Sequence, residues 1–255
     1  MNIATKRLQD NFSRAAADYD AHAWLQRQQV ERVLLTARTH LSPQAAVLDI
    51  GCGTGHFAEI AKLQHPGWNI TGIDFSYAMA RQAATRCDAS LQGDATRLPL
   101  ADDTVDAVVS SLCLQWVDDK ARMLAEIRRV LKPQSIAIVT TLGDQTLVEL
   151  QEATKRSGAK LGLLPMLSFD RYRALARESG MQLLACQRTR VTQHYPSVEA
   201  LLESMRAIGA GNAGDKHFIA PKKFAQMIQQ YEATFGNTRG IPATWEPILM
   251  LLKNI

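Results

Sequence analysis

Three aspartates and a run of alternating glycines are the residues of this 255-residue chain best suited to chemistry. Val47-Leu48-Asp49-Ile50 reads as a strand that runs into Gly51-Cys52-Gly53-Thr54-Gly55 and then directly into a helix. Glycines in such a turn adopt backbone conformations closed to residues with a Cβ, and they let a ligand press against the main chain. The dinucleotide fingerprint is Gly-x-Gly-x-x-Gly, which seats a pyrophosphate at the helix N-terminus. Here the spacing is Gly-x-Gly-x-Gly behind an acidic residue, and Asp49 at a strand end suits a cation rather than a pyrophosphate. Asp74 closes the second predicted strand, where a carboxylate accepts hydrogen bonds from both hydroxyls of a ribose. Ser76 is the better-placed helix N-cap of that turn. Asp94 sits in Gly93-Asp94-Ala95-Thr96-Arg97-Leu98-Pro99, after a weak third strand. A turn-stabilising aspartate is the plain alternative for Asp94, and core packing is the alternative for Phe75 and Met79 beside Asp74.

The elements that must position these residues follow from periodicity. Strands are predicted at 46–50, 69–74, 90–92, 105–110 and 135–141, with helices at 56–64, 77–86 and 120–131 between them. Near-continuous apolar strands alternating with helices imply a doubly wound α/β domain, its mostly parallel sheet covered on both faces. Right-handed crossovers gather the strand ends on one edge, where ligands of such sheets bind. Residues 5–37 read as helical, with Leu8, Phe12, Ala15, Tyr19, Ala23 and Val30 along one stripe. Helices are also predicted at 147–155 and 169–178, the latter ended by Gly180, and last strands at 181–191 and 244–252. Residues 192–242 read as a helical lid inserted in a single 1–255 domain, with helices at 198–208 and 221–235. That insertion is too short to bury a core of its own. Glycines at 209, 211 and 214 suggest a hinge in it.

The 47–55 turn resembles motif I of the Rossmann-like methyltransferases that use S-adenosylmethionine, and 93–99 resembles their Gly-Asp-Ala-x-x-Leu-Pro segment. The resemblance implies S-adenosylmethionine as cofactor and an antiparallel last strand. It implies Asp49, Gly51, Cys52, Gly53 and Gly55 at the methionine part and Asp74 at the ribose. Phe75, Met79, Asp94 and Ala95 would meet the adenine, and Ser111 would meet the cofactor where the fourth strand leaves the sheet. A narrower resemblance rests on three segments. They are Asn11-Phe12-Ser13-Arg14-Ala15-Ala16-Ala17-Asp18-Tyr19-Asp20 with Leu25-Gln26, Ser111-Leu112-Cys113-Leu114-Gln115-Trp116, and Ser204-Met205-Arg206-Ala207-Ile208-Gly209-Ala210. Together they are similar to the malonyl-[acyl-carrier protein] O-methyltransferases of biotin synthesis. That family implies a malonyl thioester acceptor, carried by an acidic acyl carrier protein or by coenzyme A. Tyr19, Gln115, Trp116 and Arg206 are the substrate-side residues it points to, and Arg14, Lys222 and Lys223 are candidate carrier contacts. Another small acid or a quinone-type ring is the alternative acceptor. A binding protein without chemistry and a nicotinamide oxidoreductase are the alternatives of other classes. The chain departs from the family at Gln134-Ser135, where glycines are usual after Lys132-Pro133, and follows it loosely at Pro242-Ala243-Thr244-Trp245.

A malonyl carboxylate is ionised at neutral pH and needs no general base to attack a sulfonium methyl. The sequence accordingly offers no metal-ligand spacing, no catalytic dyad and no activated-cysteine motif. Net charge is only +4, with no dense Lys/Arg block, so nucleic acid is not expected. The scattered Cys52, Cys87, Cys113 and Cys186 read as reduced thiols, and neither a signal core nor a membrane-length apolar run is present. A cytoplasmic protein off the membrane is the expectation.

Overall fold

Short β-branched and apolar runs build a seven-stranded sheet in the computed structural model, which describes residues 3–211 and 220–255. Strands β1 (Ala46–Ile50), β2 (Asn69–Asp74), β3 (Ala89–Gln92), β4 (Val105–Ser111) and β5 (Leu131–Leu142) are parallel. The full order is β3-β2-β1-β4-β5-β9-β6, where β6 is Gln182–Arg188 and β9 is Pro247–Lys253. The antiparallel member is β9, lodged between β5 and β6. The chain winds outward from β1 in both directions, so a crevice opens between the C-terminal ends of β1 and β4.

Side-chain alternation divides the interior into two layers. Leu48, Ile50 and Val108 face α6 (Lys120–Val130) and α8 (Phe169–Glu178) through Ile127 and Tyr172. Val47, Ile70 and Val109 face the opposite layer, with Phe57 and Ala61 of α4 (His56–Gln64) and Val33 of α3 (Trp24–Ala37). Each fully buried leucine or isoleucine here contributes roughly 2–3 kcal/mol, so the sheet edge is a rigid base for loops that carry little packing of their own.

Three regions differ from the sequence expectation. The 5–37 helix is broken into α1 (Ile3–Ala15), α2 (Tyr19–His22) and α3. A turn closed by Asp18 N–H on the Ala15 carbonyl, and non-helical backbone at Ala23, swing α2 out of line. The 181–191 strand ends at Arg188, and the chain restarts as β7 (Val191–Tyr195), which leaves the main sheet and pairs with β8 (Ile241–Trp245). The predicted 244–252 strand is likewise split at Glu246 between β8 and β9. This two-stranded ribbon carries helices α9 (Val198–Ala207) and α10 (Pro221–Phe235). Their core is shared: Leu201, Leu202, Met227 and Tyr231 bury with Leu150 and Ala153 of α7 (Val148–Ser157) and with Leu25. The segment from Asn212 to Gly214, part of the expected hinge, lies outside the described residues. Gly209 is described and packs against the backbone of Phe12.

Gln134, at the departure from the family pattern, holds φ at +68° and is exposed, with its N–H donated to the Asn254 carbonyl. Left-handed backbone costs a side-chain-bearing residue about 1–2 kcal/mol, against about 0.5–1 kcal/mol for the extra unfolded-state freedom of glycine. Gln134→Gly is therefore expected to stabilise the protein by about 0.5–1 kcal/mol in denaturant titration. A lower midpoint in the variant would contradict this account of the turn.

Candidate active site

Beyond the C-terminal ends of β1, β2 and β4 lies a cavity of about 1220 Å³, joined at Gly51, Gly53, Tyr19 and Ser111 to a small recess of about 50 Å³. The glycine turn is the floor. Gly51 holds φ at +72°, and a Cβ there would stand 2.5 Å from the Cys113 Cβ, so only glycine fits. Gly53 holds φ at +54° and has nothing within 4 Å of where its Cβ would be; a side chain there would fill open cavity.

Asp49 lies at the small recess, buried, and no donor among the described residues reaches its carboxylate. Burial first, and then the charge of Asp74, push its pKa up to about 8. Asp74 is also buried, and its two oxygens accept from the Ser76 N–H at 2.8 Å and the Gly53 N–H at 3.0 Å. Burial raises it to about 6 against the pull of those two bonds. Asp74 thus ties the β1–α4 turn to the turn before α5 (Tyr77–Ala83), whose N-cap is Ser76, and still faces the cavity. Asp94 is exposed at the far rim, and its Oδ1 accepts from both the N–H and the hydroxyl of Thr96 at 2.8 Å. It holds its own turn and lines the cavity at once. Phe75, Met79 and Ala95 complete that end.

Of the predicted residues, Asp49, Cys52 and Gly55 do not line the large cavity; Asp49 and Cys52 border the recess, and Gly55 borders neither. Gly55 packs its Cα face against Ala83 and Arg86 of the neighbouring helix end, where a Cβ would meet the Ala83 Cα at 3.0 Å. Its smallness serves helix packing rather than ligand approach. Cys52 borders the small recess, with its sulfur under Gly72, and burial holds its thiol protonated.

The turn after β4 begins with Leu112 at φ +53°, a strained conformation fixed by hydrogen bonds to Thr140. It presents the 3-10 turn Leu114–Trp116 to the cavity. Gln115 is buried, its Oε1 accepting from the Thr141 hydroxyl at 3.1 Å, which leaves its amide NH2 as the free group of a cavity-lining side chain. Trp116 meets Phe12 edge-on at 5.5 Å, and Phe12 meets Phe75 at 5.9 Å, so α1 bridges the two loops from above. Gln9 and Ser13 reinforce that bridge through the Phe75 carbonyl and the Ser76 hydroxyl. Tyr19 lines both the cavity and the recess; burial, with the charges of Asp74 and Asp20, pushes its phenol further up, so it is a neutral hydroxyl.

The other end of the cavity is walled by Trp24, Tyr195 and Trp245, with the Trp24 N–H on the Tyr195 hydroxyl at 3.3 Å. Sequence reasoning missed this wall, because it forms only when the β7–β8 ribbon folds over α3. Carboxylates at 74, 94, 118, 119 and 144 line the cavity, whereas Arg206 is its one Lys or Arg among the described residues. Its guanidinium, exposed on α9, has no ion-pair partner there. Arg14, by contrast, bonds within its own helix to Asn11, and Lys223 reaches the Gly158 carbonyl. No helix among the described residues is long and apolar enough to cross a membrane.

Comparison with known proteins fits this geometry. Residues 48–139 match the model of a methyltransferase domain. A putative methyltransferase from Bacillus halodurans superposes with a TM-score of 0.64 at 16% identity, over 89% of this chain and 99% of that one. Fold and matched domain define a Rossmann-like, S-adenosylmethionine-dependent methyltransferase. A malonyl-[acyl-carrier protein] O-methyltransferase from Geobacter sulfurreducens is 31% identical, over 95% of this chain and 96% of its own length. The chain belongs to the malonyl-[acyl-carrier protein] O-methyltransferase family. A bifunctional biotin biosynthesis protein, BioHC, from Saccharophagus degradans is 32% identical over 94% of this chain, which spans 45% of that longer relative.

Asp49 makes a stability prediction. Its folded pKa of about 8 lies above the ordinary 3.8, so the folded state binds more protons than the unfolded state between those values, and stability falls as pH rises through them. Asp49→Asn removes that burden. The variant's melting temperature is expected to exceed the parent's by an amount that is small at pH 4 and grows up to pH 8. A gap that is constant, or that shrinks with rising pH, would refute the assignment.

Proposed function

We propose that this protein transfers the methyl group of S-adenosylmethionine to the free carboxylate of a malonyl thioester, giving the methyl ester early in biotin synthesis. The observation that carries the cofactor side is Asp49, a buried carboxylate that no donor among the described residues reaches, beside a backbone cradle that a Cβ at Gly53 would fill. A ligand ammonium or sulfonium answers that charge, and a pyrophosphate does not. In this reading Asp49, Gly51 and Gly53 hold the methionine part, Asp74 the ribose, and Phe75, Met79, Asp94 and Ala95 the adenine. Ser111 and Cys52 stand beside the methionine part. When bound, the cofactor supplies an electrophilic methyl: an O–CH3 bond forms as the S–CH3 bond breaks, and its electron pair returns to sulfur.

The chain's own residues then have to align, shield and neutralise. A malonyl carboxylate arrives ionised, so no residue needs to remove a proton. Arg206, without an ion-pair partner among the described residues and the one Lys or Arg among them that lines the cavity, answers either that carboxylate or the phosphate of a carrier's pantetheine arm. Tyr19 and Gln115 offer a neutral O–H and N–H to orient the acceptor, and Trp116 with Phe12 excludes water, as in-line displacement requires. The names of the Geobacter and Saccharophagus relatives support the malonyl acceptor and the biotin pathway. An acyl carrier protein, or coenzyme A in its place, is the partner that this acceptor brings.

The test is methyl-ester formation from malonyl-carrier protein, malonyl-coenzyme A and the free acid trans-aconitate. Turnover of a malonyl thioester is expected, and turnover of trans-aconitate alone would overturn the acceptor assignment. Asp74→Ala is expected to weaken S-adenosylhomocysteine binding by about 10–100-fold, the loss of its charge-assisted hydrogen bonds. Arg206→Ala should raise KM for the malonyl substrate about tenfold, with cofactor affinity unchanged.

A further inference from the structure

The helix that presents Tyr19 is four residues long, with Tyr19 and Asp20 half-buried and Ala21 and His22 exposed, so packing alone does not hold it over the cavity. What reaches down from it is Asp20. The Thr54 hydroxyl donates to Asp20 Oδ1 at 2.6 Å, and Arg86 Nη1 donates to Asp20 Oδ2 at 2.8 Å. Arg86 Nη1 also lies 3.2 Å from the Thr54 carbonyl, so one guanidinium ties the turn and α2 together. Thr54 is the residue between Gly53 and Gly55 in the glycine turn, and the Gly53 N–H is already bound to Asp74. From the other side, Arg27 Nη1 donates to the Asp20 carbonyl at 2.5 Å.

From this arrangement we infer that Asp20 is a positioning residue for methyl transfer, latching the Tyr19 segment onto the glycine turn and thereby closing the methionine end of the site. The inference rests on the cofactor reading given above. Two hydrogen bonds joined by the backbone between Thr54 and Gly53 thus link Asp20 to Asp74, connecting cover, turn and the position read as ribose-binding. Glu59 shares Arg86, with Nε to Oε2 at 3.6 Å, and His56 lies 3.3 Å from Glu59, so the charged and titratable groups facing the latch are Arg86, Arg27, Glu59 and His56. Burial alone would raise the Asp20 carboxyl, but the bonds from Thr54 and Arg86 hold it below the usual range, and it stays ionised at neutral pH.

Because both carboxylate and guanidinium remain partly exposed, the pair is weaker than a buried one and salt screens it. The latch therefore governs how fast the closed segment opens rather than whether the protein folds. Asp20→Ala should speed S-adenosylhomocysteine release about fivefold in stopped-flow displacement. It should also expose the bonds around residues 14–22 to protease in the ligand-bound protein. Arg86→Ala should do the same, and the Asp20→Ala, Arg86→Ala double variant no more than either alone. Asp20→Asn keeps the Thr54 partner and loses the charge, so it should fall between and lose the parent's salt dependence. Release at the parental rate from folded Asp20→Ala, or additive effects in the double variant, would overturn the latch. A parent protein that binds no S-adenosylhomocysteine would instead overturn the cofactor reading beneath it.

Discussion

Two carboxyl groups buried near one another, with no cation among the described residues to pair them, are the constraint around which this site is arranged. Asp49 and Asp74 end adjacent parallel strands, and the sheet leaves them no freedom to separate. Burial raises the cost of ionising both, and the charge of Asp74 raises that of Asp49 further. Asp74 recovers part of that cost from two backbone N–H groups; Asp49 recovers none. A fold tolerates such a pair when a bound positive group completes it. The protein without ligand gives up stability to keep both carboxyl groups buried, and the rigid sheet on which they sit fixes their place.

The remaining architecture serves to bring mobile or irregular parts against that fixed pair. Side-chain-bearing residues in left-handed backbone, Leu112 and Leu147, stand at the cavity wall, one after β4 and one before α7. Such positions cost about 1–3 kcal/mol and persist only where surrounding packing over-determines them. Here they turn the chain out of the sheet so that Gln115 and Trp116 face the ligand space from one side and α7 supports the ribbon and its helices from the other. The cover is assembled from separate stretches of sequence: Phe12 of α1 meets Phe75 and Trp116, and Asn11 reaches the Gly211 carbonyl beyond α9. Cofactor side and acceptor side are thus roofed by pieces that touch one another.

Much of this was legible before any coordinates. The glycine spacing, with an acidic residue at each of three strand ends, encoded the sheet edge, because strand, tight turn and helix start each carry a strong local signal. Helices at 56–64 and 169–178 are local and amphipathic, and they fall where periodicity puts them. What the sequence hid is what depends on tertiary partners. The break before Tyr19 has no proline or glycine to announce it; the helix opens there because Asp20 finds Thr54 and Arg86 across the site. The β7–β8 ribbon fell mostly inside the stretch read as a helical lid, with only Val191, Thr244 and Trp245 in expected strands; Glu246, which divides β8 from β9, is polar but buried and so interrupts no apolar run decisively. Gly55 looked like part of the ligand cradle because spacing alone does not say which way a Cα faces. Asp94 holds its turn, as the plain alternative had it, and also lines the cavity.

The central claim, that Asp49 waits for a cation, is tested most directly by counting protons. Titrate S-adenosylmethionine into the protein at pH 6.5 by calorimetry, in buffers of differing ionisation heat. At that pH the ligand's amino group stays protonated, while Asp49, with its pKa near 8, holds a proton until a positive group displaces it. The account predicts release of close to one proton per ligand bound, a release largely lost in Asp49→Asn. Binding with no proton exchange, or with proton uptake, would contradict it.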